Sequence, residues 1–188
     1  MSTKQMQQVV VIQETIYRMI QVRGGAYPML TMLRQGELVG LVIGPDPPPD
    51  VQVRSRMLKN LGMLLAVFGC DEAVYGFHAA ISTVPVDAPD LDPNDDPAAQ
   101  NAIVVFALPE GERIIRPVHV YDDGTVSLGP EDRVNGPLSG LMTLLYAGLL
   151  TGAVLSVAPR EAQVEVMKRV QEDGGRILTM EELTGGTG

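Results

Sequence analysis

The sequence predicts an α+β fold: a single domain with a mainly antiparallel sheet packed against amphipathic and buried helices. Three observations carry this. Apolar side chains recur at the helical period near the N-terminus and again after Asp50. Several short alternating runs are joined by tight glycine-containing turns, which connect antiparallel neighbours. A chain of 188 residues with 45% apolar side chains also holds enough apolar mass for one continuous core.

Residues 5–22 read as the first helix, with Val9, Ile12, Ile16, Met19 and Ile20 on one side and Gln13, Glu14, Arg18 and Gln21 on the other. Gly24-Gly25 ends it. Residues 27–33 and 37–43 read as a hairpin around Arg34-Gln35-Gly36. The proline-rich stretch 44–50 lacks backbone donors and reads as a rigid turn, with Asp50 as the N-cap of the next helix. Leu58, Leu61, Leu65 and Phe68 form that helix's stripe, and Gly69 closes it.

Residues 73–84 alternate most clearly. Ala73, Tyr75, Phe77, Ala79 and Ile81 take one face; Gly76, His78, Ala80 and Ser82 take the other, a pattern suited to burial on both sides. An acidic, proline-rich loop follows at 85–100. Strands at 101–108, 113–121 and 125–128 then form a meander, turned by Pro109–Gly111 and by Asp123-Gly124. Pro117 places its strand at an edge or a bulge. From Val134 to Pro159 there is no charged residue. That length spans a bilayer, and Gly148 and Gly152 have the small-xxx-small spacing of membrane helix pairs. The glycine interruptions and the absence of flanking basic clusters favour a buried helix over 138–150, a break at Thr151-Gly152, and a buried strand over 153–157. A charged helix over 159–173, an extended segment at 176–180 and a flexible tail at 185–188 complete the chain, with the helices expected on one face of the sheet.

Composition excludes more than it assigns. A net charge of -9, without a Lys/Arg cluster, argues against nucleic acid and anionic membranes as partners. The N-terminus shows no secretory pattern, so the expected location is cytoplasmic. One cysteine, Cys70, excludes an internal disulfide framework and a thiolate metal site, and its apolar setting predicts a buried, inert thiol. Aromatics make up 4% of the chain, which argues against a deep ligand pocket.

Four patterns bear on chemistry. Asp90, Asp92, Asn94, Asp95 and Asp96 present oxygens at near-alternate positions. Asp95 stands where a calcium loop needs glycine, and Asn101 where it needs a bidentate glutamate. Asp71, Glu72, His78, His119, Asp122 and Asp123 are the set that would serve a metal or acid–base centre, although none has motif spacing. Ser139 lacks the glycine arrangement of a nucleophile elbow. Gly36, Gly40 and Gly44 lack the Lys-Ser/Thr of a phosphate loop. The expectation is therefore a non-enzymatic protein-binding or assembly module without cofactor or metal, acting through a protein partner or self-association. The surface expected to carry it is the N-terminal helix near Ile12, Ile16 and Met19, or a free sheet edge. A divalent-metal-dependent hydrolase using the Asp/His set is the alternative.

Overall fold

A capping box starts the first helix, α1 (Thr3–Arg23). The Ser2 hydroxyl accepts from the Gln5 backbone N–H at 3.2 Å, and the Gln5 side chain accepts from the Ser2 N–H at 2.8 Å. Gly24, at φ 74°, ends the helix in the left-handed conformation. The computed structural model describes residues 1–45, 50–81, 99–135, 142–154 and 157–183. The acidic loop at 85–98, Ser82 to Val84, Leu138 to Leu141 with Ser139, and the tail at 185–188 lie outside the described residues.

Strands β1 (Met29–Arg34) and β2 (Glu37–Ile43) form the expected hairpin. Gln35 and Gly36 both have positive φ, 53° and 74°, as a two-residue type I′ turn requires. Leu33 pairs with Leu38 and Met32 with Gly40, which leaves Val39 as a bulge. Asp50 caps α2 (Val51–Val67), accepting from Gln52 N at 2.7 Å and Val53 N at 3.0 Å. Then come β3 (Glu72–Ile81), β4 (Gln100–Leu108), β5 (Glu112–Val120), β6 (Val126–Leu128) and β7 (Asp132–Asn135). Helices α3 (Met142–Val154) and α4 (Arg160–Glu172), strand β8 (Arg176–Thr179) and the short α5 (Met180–Leu183) complete the order.

The eight strands form one antiparallel sheet in the order β6-β5-β4-β3-β1-β2-β8, with β7 also on β5. Pro117 falls between the part of β5 that pairs with β7, ending at Ile115, and the part that pairs with β6, starting at Val118. Its carbonyl accepts from Gly129 N at 2.8 Å, so its missing N–H faces that same gap.

Helices cover both faces of the sheet, not one. Val9, Ile12, Ile16 and Ile20 of α1 pack with Val74, Ile103, Val105, Ile114 and Val118. On the opposite face α2, α3 and α4 pack against Leu30, Met32, Val42, Ala73 and Tyr75. The alternation read in β3 explains the arrangement: its odd positions face α2, and Val74 and Gly76 face α1. At Gly76 a Cβ would collide with Ile12 Cγ2, so glycine permits the close seating of α1.

The expected break at Thr151-Gly152 is absent: α3 continues through both residues to Val154, so Ala153 and Val154, where a strand was expected to begin, are helical, and residues 155–156 lie outside the described residues. The Thr151 hydroxyl donates to Ala147 O at 2.9 Å, within the helix. Gly152 faces α2's C-terminal turn, where a Cβ would stand 2.6 Å from Cys70 O and 3.0 Å from Leu65 O. Gly148 lies directly on Gly62 of α2, its Cβ position 2.6 Å from Gly62 Cα. The glycines that suggested a break are thus the contact surface of a close helix pair. Among the described residues no helix is long and apolar enough to cross a membrane.

Candidate functional site

Ile12 and Ile16 are fully buried and serve the core, so they offer no surface to a partner. Their helical stripe is what α1 seats on the sheet, a use that stabilises by roughly 1.5–3 kcal/mol per buried side chain. Met19, the third residue of the expected surface, is half-buried at the rim of a groove.

The Asp/His set does not converge. Asp71 accepts from the backbone N–H of Gln35 at 2.9 Å and so holds the β1–β2 turn. Glu72 accepts from the Ser2 hydroxyl at 2.8 Å and ties the start of α1 to β3. His78 is six residues further along β3, roughly 20 Å away at the rise of an extended strand. His119 and Asp122 are exposed at the far end of β5 and its turn, where the Tyr121 hydroxyl lies 3.1 Å from Ser127 Oγ. Asp123 accepts from the Thr125 hydroxyl and backbone N–H, which hold its carboxyl below the usual range and stabilise the turn. Among the described residues no three His, Cys, Asp or Glu side chains are placed to hold one metal ion. Gly36 forms the hairpin turn, and Gly40 makes room for Met32 Cε, 2.8 Å from its Cβ position.

What the structure does build is an open groove of about 700 Å³ along the outer flank of α1. Its origin is geometric. A helix about 10 Å across covers roughly two strands spaced at about 4.8 Å. Helix α1 lies over β3 and β4. Beside it on the same face lie the cross-strand pairs Leu41–Leu178 and Ile43–Arg176 of β2 and β8, two strands that also contact α5. Val11, Met19 and Val22 line the groove from α1, Tyr27 from the segment before β1, and Ile43 from β2. Val22 is 82% exposed, the most exposed large apolar side chain described.

The polar rim of the groove is mainly basic: Arg18, Arg23 and Arg176 against Glu14. Arg23 stacks its guanidinium over the Tyr27 ring at 5.7 Å. Arg18 reaches Glu14 at 3.9 Å, with both side chains well exposed, which contributes little to stability. The sequence did carry a signal for this place: Val10-Val11 and Val22 break the polar side of an otherwise amphipathic α1. Compared with protein-family models, curated proteins and solved structures, the chain matched none.

Proposed function

We propose that the protein is a non-catalytic protein-binding module whose groove beside α1 receives an amphipathic, acidic helix of a partner protein. One observation carries the reading: among the described residues α2, α3 and α4 pack on one face of the sheet and α1 on the other, with an open groove along the flank of α1. The groove's apolar walls are Val11, Met19, Val22 and Ile43. A helix laid there would complete the layer that α1 begins, as amphipathic helices do in apolar grooves. The three arginines at the rim, in a chain of net charge -9, favour acidic residues flanking the apolar stripe of the incoming helix.

The test is photocrosslinking in cells from a benzophenone side chain at position 22, with and without Arg23→Glu and Arg176→Glu. The reading expects a discrete adduct that charge reversal reduces by about tenfold or more. An adduct indifferent to both reversals, or none at all, overturns it. Sedimentation of the purified chain separates the other occupant. A concentration-dependent dimer lost in the same double variant would assign the groove to a second copy.

A further inference from the structure

A second concavity lies on the opposite face of the sheet, between β1–β3 and the first half of α2. It has a volume of about 250 Å³. Cavities of about 150 Å³ admit benzene, and drug-sized ligands need roughly 300–1,000 Å³, so this one suits a molecule between the two. Its walls are apolar: Leu30, Val42, Met57, Leu58, Phe77 and Met142. The aromatic content that argued against a pocket is concentrated beside it. Tyr75 and Phe77 have ring centroids 5.5 Å apart, and Phe77 stacks on Phe106 at 6.1 Å.

Among the described residues two polar side chains line the cavity, Tyr75 and Arg54. Tyr75 is 6% exposed. Burial pushes its phenol above the ordinary range, so at neutral pH it keeps the proton it would donate. Arg54 has a buried Nε without an acceptor. Arg56, two residues on, is paired with Asp173 at 3.0 Å. Arg54 is also the fourth residue of α2, whose N-terminus is already capped by the Asp50 carboxylate through Gln52 N and Val53 N, so the attraction for an anion comes from the Arg54 side chain itself. Burying a guanidinium N–H without an acceptor is unfavourable. An arriving carboxylate would satisfy it in the planar, two-pronged geometry that arginine offers.

We propose that this cavity binds a medium-sized apolar monocarboxylic acid, its apolar body between the sheet and α2 and its carboxylate on Arg54 and Tyr75. The flexible Met57 and Met142 let the walls fit an unbranched body. The test is NMR of the full chain with labelled methionine methyls, titrated with octanoate, octanol and octylammonium. Octanoate is expected to shift the Met57 and Met142 methyls and to bind more tightly than octanol, with octylammonium weakest. Arg54→Gln should weaken octanoate about tenfold and leave octanol within about twofold. Ala79→Leu, at the cavity wall, should block all three ligands with the fold intact. The proposal is overturned if octanoate leaves both methyls unmoved at millimolar concentration. Equal binding of octanoate and octylammonium, or an Arg54→Gln variant that binds octanoate as before, overturns it equally.

Discussion

Cys70 is fully buried, and burial pushes its thiol up to about 12, with Arg34 lowering and Asp71 raising it by smaller amounts. The ordinary value is 9.0, so the unfolded chain ionises first as pH rises. The thiol's contribution to stability is therefore complete below about pH 9 and is lost as pH climbs towards 12. Urea midpoints measured between pH 8 and 11 should fall in the native chain, with a shallower fall in Cys70→Ala. A thiol reagent at pH 8 should react only as fast as the chain unfolds; immediate reaction would contradict the burial. This residue was legible because its apolar neighbours are adjacent in sequence. The roles of Asp71 and Glu72 were not. Their partners, Gln35 and Ser2, are 36 and 70 residues away, and no local spacing announces such pairs.

At the scale of elements, the α2–α3 pair shows why α3 runs past the expected end at Leu150 to Val154. Glycine in a helix interior costs about 1 kcal/mol relative to alanine, which makes Gly148 and Gly152 look like breakers. Contact with Gly62, Cys70 and Leu65 offsets that cost, and it appears only when the two helices are side by side. Gly148→Ala should therefore destabilise by about 1–3 kcal/mol or more, despite its better helix propensity. Gly25→Ala, with open space around its Cβ position, should change stability by less than about 0.5 kcal/mol. Urea denaturation of the two variants checks the contrast. Strand β7 was missed for a related reason. Asp-Arg-Val-Asn has no strand pattern of its own, and its pairing with Glu112–Ile115 makes it one. Arg133 supports that pairing through Glu131 at 2.8 Å and Glu112 at 3.4 Å.

For the whole molecule, the decisive feature is the unequal covering of the two sheet faces. It makes the two sides of α1 respond differently to the same substitution. Ile12→Asp puts an unpaired charge between helix and sheet and should destabilise by at least about 4 kcal/mol. Val22→Asp lies on the open groove and should stay within about 0.5 kcal/mol of the native chain. Thermal melts of the two variants check this. A similar loss in both would mean that the groove side of α1 is buried in the protein's resting state.

The sequence by itself determined the α+β class, α1, the hairpin, α2 with its cap, β3 to β6, and α4 with the strand after it. Each rests on information within one element: a period of 3.6 or 2, a cap, or a turn residue. Only the tertiary structure decided on which face each helix lies, how far α3 runs, and where the surface concavities fall. Ile12 and Val22 are both apolar residues of one helix. The helical period puts Ile12 on the apolar stripe and Val22 off it; whether a further layer covers the Val22 side depends on a sheet built from strands more than 100 residues apart, which a local period does not encode.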